Sequence, residues 1–300
     1  MNKIINKIKK KTNKILKLNI LRIYSTVMYK VYSDEEYLKR AYKKAMGEEL
    51  NLVEPQKFNE KLQVLKLKSK EKNYSRLVDK YEVREFIKET IGEKYLTKLY
   101  GVYKNTKEID FNKLPNKFIL KTTHDSGGVI ICKDKNSNEW KKKLKELDVR
   151  LKQNYYYLSR EYPYKNVEPR IICEELLEDK AYEIPLDFKL FCFGGRVEYI
   201  QVDFDRFIKH TRNFYNRNWE LQEFSIIKAK NSKGIKKPEN LEEMILLAEK
   251  ISKEQPFLRV DFYSINNSLK FGEITFFPEA GFGKFNMKKY EYQLGDLIKL

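Results

Sequence analysis

The chain has 300 residues, 41% of them hydrophobic and 14% aromatic, and a formal net charge of +18. Its 21 Tyr and 18 Phe exclude a disordered chain, which is poor in rings and buries too little apolar surface to offset the entropy of ordering. The lysine and arginine excess suits polyanions, anionic lipid surfaces or phosphorylated substrates and does not bear on the fold.

Three cysteines, Cys132, Cys173 and Cys192, each stand in an apolar run, the setting of buried strand cysteine. Their spacing is neither a zinc pattern nor a small disulfide framework, and His124 and His210 cannot complete a metal site with them. A reducing, cytoplasmic setting is expected. No apolar run reaches the ~18 residues of a membrane span, and the basic N-terminus lacks the apolar core of a secretory signal.

Residues 1–32 carry nine Lys or Arg and no acid. Ile4, Ile8 and Ile15 share one helical face, and Lys3, Lys7, Lys10, Lys14 and Lys17 form a stripe beside it. That is the pattern of a basic amphipathic helix. It can lie on an anionic membrane surface, such as the inner face of the cell membrane, or pack on the body with its lysines in solvent. Residues 33–110 read as a helical region. Ser33 followed by three acids starts a helix; Leu62, Leu65, Val78, Val83, Phe86 and Ile87 supply apolar stripes, and Gly92 stops one.

From 111 to 300 the texture changes to short β runs at 118–121, 129–132, 170–174, 188–193 and 196–202, with a last pair at 257–263 and 269–276. Gly194-Gly195 and Asn266-Asn267 read as hairpin turns. Helices are expected at 139–154 and 241–253. Hairpins mixed with helices argue for an α+β fold, since a doubly wound sheet needs strand–helix alternation throughout.

Lys121 ends a strand and precedes a turn containing Ser126, Gly127 and Gly128. Such a lysine can neutralise phosphates while backbone N–H groups of the turn point at the same oxygens; taken alone, the stretch is better explained by an ordinary hairpin turn. The stretch 174–178 delivers Glu174 and Glu175 into a connector that either meets an adenine edge and ribose hydroxyls or is a solvated acidic loop. Arg259, Asp261 and Tyr263 share one face of a strand, and Glu273 and Thr275 one face of the next. Asp261 and Glu273 can converge on a hard oxygen site for Mg²⁺, or Glu273 can pair with Arg259. Asp187 and Lys189 form the charged face of another strand, lining a cleft or facing solvent. Asp203-Phe204-Asp205 is a D-x-D of the kind that holds a metal in nucleotide-sugar glycosyltransferases. Arg206, His210, Arg212 and Tyr215 crowd what reads as a basic loop, able to clamp a γ-phosphate or an acidic substrate. The basic residues are spread along the chain with no nucleic-acid-binding fold, so no nucleic-acid partner is expected.

Taken in order, the blocks F-I-L-K-T-T-H-D-S-G-G-V, E-E-L-L, D-F-K-L-F-C-F-G-G-R-V, R-N-F-Y-N-R-N-W and R-V-D-F-Y…F-G-E-I-T-F-F-P-E-A-G-F resemble the TupA-like branch of the ATP-grasp superfamily, linked to teichuronopeptide and polysaccharide biosynthesis. The resemblance covers about residues 35–285. It implies two lobes of mostly antiparallel sheet with helices clasping ATP, preceded by a helical N-terminal region. It implies that Lys121 contacts the α/β-phosphates, that Ser126, Gly127 and Gly128 form the loop over the triphosphate, and that Arg84 is the basic residue before the first lobe. Glu174, Glu175 and Leu177 would form the adenine connector, with Asp187 also on the nucleotide. Asp261 and Glu273 would hold Mg²⁺, with Thr275 where relatives carry Asn. Arg259 would steady an acyl-phosphate, with Arg212 and Lys189 at the reacting groups. Asp125 stands where relatives have Gly, and Asn216 where an acid is common. The implied reaction activates a carboxylate, on a sugar or polymer, as an acyl-phosphate for amide formation with an amine or amino acid. A glycosyltransferase of cell-surface polysaccharide assembly, or a catalytically silent ATP-binding protein, are the alternatives.

Overall fold

The computed structural model describes residues 14–137, 140–179, 185–204, 210–231 and 234–300. The first part of the expected basic helix, with Lys3, Ile4, Lys7, Ile8 and Lys10, therefore lies outside the described residues, as do Asp205 and Arg206. The helices are α1 (Lys14–Val31), α2 (Asp34–Met46), α3 (Phe58–Lys68), α4 (Ser75–Val78), α5 (Val83–Thr90), α6 (Trp140–Arg150), α7 (Tyr155–Ser159), α8 (Leu241–Ser252) and α9 (Lys288–Leu297). The strands are β1 (Leu99–Tyr103), β2 (Phe118–Thr122), β3 (Val129–Cys132), β4 (Ile171–Glu174), β5 (Asp187–Phe193), β6 (Arg196–Phe204), β7 (Thr211–Asn216), β8 (Phe257–Ile265) and β9 (Ser268–Thr275). Among the described residues no helix is long and apolar enough to cross a membrane.

The strands make two sheets, of order β1-β4-β2-β3 and β7-β6-β5-β8-β9, antiparallel at every pairing. The chain divides into two compact units. Unit 1 is Met1–Tyr37, Asn73–Tyr81 and Lys98–Leu176, and unit 2 is Leu38–Lys72, Glu82–Thr97 and Leu177–Leu300. Residues 33–110 thus contribute to both.

Unit 1 holds the four-stranded sheet. Alternation along β2 buries Phe118, Leu120 and Thr122. Phe118 and Leu120 join Cys132, Ile171 and Cys173 in a core that Leu147 of α6 also enters. Trp140 stacks on Phe118 with ring centroids 5.5 Å apart, and its indole N–H donates to the Lys135 carbonyl at 2.7 Å. At the start of α2, where the sequence suggested a helix start, Ser33 and Glu36 bond reciprocally as a capping box.

Unit 2 holds the five-stranded sheet. All seven residues of β5 are buried, so this strand is covered on both faces. Helix α8 packs across β8, β5 and β6. The ring of Phe58 from α3 meets Phe257 at 5.1 Å, and Phe193 meets Phe257 at the same distance. The two expected hairpins form: Gly194 and Gly195, and Asn266 and Asn267, all take positive φ, as two-residue turns with the twist of antiparallel strands require.

Three local expectations are corrected. Leu99–Tyr103, inside the stretch read as helical, is β1. Its pairing with β4 is irregular between Leu99 and Gly101, and all five residues are half-buried, so no alternation marks it. Arg212 and Tyr215, read as lying in a loop, belong to β7. That strand buries a charged residue and an amide, Arg212 and Asn213, which its neighbours satisfy, so its composition disguises it. The helix expected over 139–154 ends at Arg150; a new one starts at Tyr155, where the Asn154 side chain accepts from the Tyr156 N–H at 3.0 Å.

Candidate functional site

In unit 1, Lys121 lies on β2 opposite Ile172 of β4, and Glu174 lies opposite Ile119. Side chains two apart share a face, so Lys121 and Glu174 are diagonal neighbours. The Lys121 ammonium donates to Glu174 Oε2 at 2.8 Å. Glu174 is buried and Lys121 remains about one-fifth exposed. Glu175 is exposed beyond the strand, its N–H bonded to the Lys98 carbonyl at 2.9 Å. Leu177, half-buried, begins the chain's passage into unit 2.

The turn after Lys121 is closed by the Thr122 N–H donating to the Gly128 carbonyl at 2.8 Å. Ser126 and Gly127 are exposed at its tip, and Gly127 has φ +82°. Gly128 is buried; a Cβ there would strike the Thr122 hydroxyl and stand 2.6 Å from Asp125 Oδ1. Asp125, which the resemblance implies stands in place of a Gly, is 3% exposed and does not face outward as a bare charge. Arg150 pairs with it at 2.8 Å, Thr122 donates to it, and Lys80 donates to its carbonyl at 2.6 Å. Sequence reading missed Arg150 and Lys80 because both arrive from distant stretches with no local motif.

In unit 2 the charged residues fall on one face of the five-stranded sheet. Lys189 lies opposite Asp261, and Asp261 opposite Glu273. Lys189 donates to Asp187 and, at 3.0 Å, to Asp261 Oδ2. Arg259 grips Asp261 with Nε and Nη2, each at 2.7 Å, and the same Nη2 donates to Glu273 Oε1 at 2.8 Å. The Thr275 hydroxyl donates to that Glu273 oxygen at 3.2 Å. The Arg259–Glu273 pair and the convergence of the two carboxylates, which the sequence left as alternatives, are both present. Gly272 forms the bulge opposite Asp261, where a Cβ would press to 3.1 Å on the Asp261 carbonyl.

Arg212 bonds Asp203 Oδ1 at 2.6 Å and Glu279 Oε1 at 3.0 Å. Asp203 also takes a bond from Gln201 at 3.1 Å. An Asp so engaged is a poor start for a D-x-D metal pair, and its companion Asp205 is outside the described residues. Arg84 stands on α5 and donates to the Thr97 carbonyl at 2.8 Å. Beyond the expected residues, Glu279, Ala280 and Gly281 all take left-handed φ, a strained run. Buried side chains of α3 hold it: Lys66 donates to the Ala280 carbonyl at 2.8 Å and Gln63 to the Gly281 carbonyl at 2.7 Å. No sequence signal linked α3 to this segment, which lies more than two hundred residues on.

Burial would lower the Arg259 guanidinium, but Asp261 and then Glu273 more than reverse this, so its charge is secure. Burial raises the Asp261 carboxyl to about 6 against the pull of Arg259 and Lys189, with Asp187 and Glu273 adding to the rise. Both values rise, which favours the charged form of Arg259 and the neutral form of Asp261: Arg259 sits among carboxylates, whereas Asp261 has lost more solvent than its two cations return. The bidentate grip is that of an ionised carboxylate, and at neutral pH we treat Asp261 as charged.

The donor set fits a magnesium ion. Two carboxylates converge on a single nitrogen, one buried and one half-exposed, with a hydroxyl beside them. Among the described residues no three His, Cys, Asp or Glu cluster as a metal group. A cation here would complete its shell with phosphate oxygens and water, which is how Mg²⁺ is usually held.

A model of the family described as TupA-like ATPgrasp matches residues 60–299. No curated protein matches the chain. Among solved structures, D-alanine–D-alanine ligase from Bacillus anthracis complexed with ATP aligns at 14% identity and a TM-score of 0.42, over 74% of this chain and 63% of that one. The D-alanine–D-alanine ligase of Helicobacter pylori aligns at 14% identity and 0.39, over 74% and 56%. The ATP-grasp ligase PsnB, complexed with a minimal precursor, Mg and ADP, aligns at 9% identity and 0.37, over 69% and 52%. The chain spans less than two thirds of the length of each. The match over residues 60–299, together with two antiparallel sheets flanked by helices, makes this chain a member of the TupA-like ATP-grasp family, with the α+β ATP-grasp fold.

Proposed function

We propose that the chain is an ATP- and Mg-dependent ligase that activates a carboxylate for amide formation with an amine. The observation that carries this is the Arg259 guanidinium holding Asp261 and Glu273 together on one sheet face. A buried charge row of this kind costs desolvation and is weak evidence of stability by itself; it is well suited to a transferring phosphoryl group. Asp261 and Glu273 would hold Mg²⁺, with Thr275 beside them. The metal's contribution is to offset charge on the phosphates. Lys121 and the backbone N–H groups of Ser126, Gly127 and Gly128 are assigned to the triphosphate, with Arg84 assisting. Glu174, Glu175 and Leu177 are assigned to the adenosine, and Asp187 to the nucleotide through Lys189.

A carboxylate oxygen of the substrate attacks the γ-phosphorus of ATP and ADP leaves. The amine nitrogen then attacks the activated carbonyl carbon, phosphate departs, and the nitrogen loses a proton. Arg259, Arg212 and Lys189 hold negative charge as it moves, so the protein works by positioning and electrostatics and needs no nucleophile of its own. Kinship supports a carboxylate-bearing sugar or polymer of the cell surface as one substrate and an amino acid or other amine as the second. It also supports work in the cytoplasm at the inner face of the membrane, approached through the basic residues 1–32.

The test is phosphate release from ATP with Mg²⁺ across a panel of amino acids and uronic-acid polymer fragments. Amine-dependent release that Asp261→Asn and Glu273→Gln each abolish supports the reading. Thermal stabilisation by nucleotide sugars and none by ATP refutes it.

A further inference from the structure

Helix α1 turns apolar side chains away from the rest of unit 1. At helical spacing Leu16, Ile20, Ile23, Val27 and Val31 fall within one stripe roughly 80° wide and roughly 22 Å long. Leu16, Ile23, Val27 and Val31 are 48%, 60%, 46% and 60% exposed, and Ile20 between them is half-buried. Surface helices ordinarily do the reverse, with the apolar face inward and the polar face in water. Among the described residues no other helix holds more than one large apolar side chain that is exposed.

The opposite face of α1 is already occupied. Ser25 is buried there, and the Tyr29 ring stacks on Tyr157 of α7 with centroids 4.3 Å apart. The buried Arg160 guanidinium lies 5.2 Å from the Tyr29 ring and donates to the Met28 carbonyl at 2.9 Å. The Lys14 ammonium meets Glu146 of α6 at 2.8 Å. These contacts fix the rotation of the helix, so the stripe cannot turn inward without breaking them. It is not the face that the sequence pattern suggested: Ile15 is half-buried and lies off the outward stripe.

Lys17 and Lys30 border the stripe, one along each edge. Residues 1–32 hold nine Lys or Arg and no acid; the first acid is Asp34, after the helix has ended. An apolar stripe edged by cations matches the boundary between headgroups and acyl chains in an anionic bilayer. A second copy of the same face would bring two such cationic segments together, on chains of +18 each, which their charge opposes.

We propose that α1 lies in the plane of an anionic membrane. Leu16, Ile23, Val27 and Val31 enter the acyl boundary, Lys17 and Lys30 meet the headgroups, and the inner face of the helix holds unit 1 to the surface. This rests on the approach to a membrane proposed above and names the surface that makes it; it does not rest on the ligase chemistry.

The full-length chain is sedimented with vesicles of equimolar phosphatidylglycerol and phosphatidylcholine, and with vesicles of phosphatidylcholine alone. The stripe variant is Leu16→Gln/Ile23→Gln/Val27→Gln. Gln is at least as good a helix former as Ile or Val, so the variant should keep the wild-type circular dichroism and melting temperature. The control Val53→Gln/Leu221→Gln/Leu246→Gln makes the same change at exposed apolar side chains elsewhere. Burying the exposed half of one Leu, Ile or Val is worth about fivefold in partition, hence about a hundredfold for three. The expected result is that loss in the stripe variant, none in the control, and much weaker binding of every form to phosphatidylcholine alone. A second measurement does not depend on how the stripe variant folds. The native cysteines are all buried, so an environment-sensitive dye can be attached selectively at Ile23→Cys or at Val53→Cys. Anionic vesicles should shift the emission of the first to the blue and leave the second unchanged. A stripe variant that binds as the wild type does, no blue shift at position 23, or equal binding to phosphatidylcholine alone overturns the proposal. If Lys3→Gln/Lys7→Gln/Lys10→Gln loses binding where the stripe variant keeps it, the approach through residues 1–32 stands and only this face is wrong. No binding of the wild type to either vesicle overturns both. Dimerisation in solution that the stripe variant abolishes assigns the stripe to a second copy and overturns the lipid as its occupant.

Discussion

Replacing Arg259 with Met tests whether the charged row of the five-stranded sheet is one ionised network. Arg259 makes two bonds to Asp261 and one to Glu273, and Asp261 is 2% exposed. Met is close in volume and removes all three, leaving Asp261 with Lys189 alone, which Asp187 already shares. Removing one partner of a buried pair costs about 3–5 kcal/mol. At about 2–4 °C per kcal/mol for a chain approaching this size, the melting temperature should fall by roughly 6–20 °C. The double variant Arg259→Met/Asp261→Asn removes the orphaned charge and should recover much of that loss, while both variants lose ATP turnover. The cost should depend on pH. A carboxyl raised in the fold lowers stability as pH climbs from its ordinary value of 3.8 to its folded value of about 6, and no further. Without Arg259 the folded value rises higher, so the loss keeps growing above pH 6 and is smaller at pH 5 than at pH 8. Urea unfolding at both pH values measures this. A cost below about 1 kcal/mol, equal at both pH values, would refute the picture of a buried ionised pair.

Lys121→Ala should weaken ATP binding by about tenfold or more, the value of one charge-assisted contact, in calorimetric titration; it should also destabilise the chain, because buried Glu174 loses the ammonium 2.8 Å away, and Lys121→Ala/Glu174→Gln should restore stability but not affinity. Gly128→Ala should cost about 1–3 kcal/mol in urea unfolding, since its Cβ would strike Thr122 and crowd Asp125. Burial pushes the Cys173 and Cys192 thiols up to about 12, so neither should react with a thiol reagent at pH 8 until the chain unfolds.

Much of the fold was legible because it depends on local patterns. The Gly-Gly and Asn-Asn turns name their own hairpins, since Gly and Asn tolerate the positive φ that two-residue turns require at both positions. Alternation in β2 and the apolar run of β4 mark strands whatever surrounds them. β1 and β7 escaped for opposite reasons. β1 is half-buried throughout and kinked by an irregular register, so it shows no period. β7 carries Arg212 and Asn213 into the interior, a choice that only its partners explain: Asp203 one strand away, and Asn231 beyond the strand's end.

The candidate site was legible as a set of residues and not as a set of pairings. Strand alternation places Arg259 and Asp261 on one face, but a two-residue turn at Asn266-Asn267 alone would set Asp261 opposite Gly272; the bulge at Gly272, which no sequence pattern announced, brings Glu273 opposite Asp261. Which of them bond depends on strand order, and that joins β5 to β8 across more than sixty residues. Lys189 reaches Asp261 only because β5 is the neighbour of β8. The same holds for Asp125: in the sequence it is an added negative charge in the turn proposed to hold phosphate, and only the approach of Arg150 neutralises it. A carboxylate already neutralised in this way does not repel a triphosphate as a bare one would. The departure from Gly at that position therefore weighs less against nucleotide binding than its sign suggests, and Arg150→Met is the substitution that should expose the repulsion, lowering ATP affinity without touching the nucleotide. Equal affinity in that variant would mean that Asp125 stands outside the field the phosphates feel.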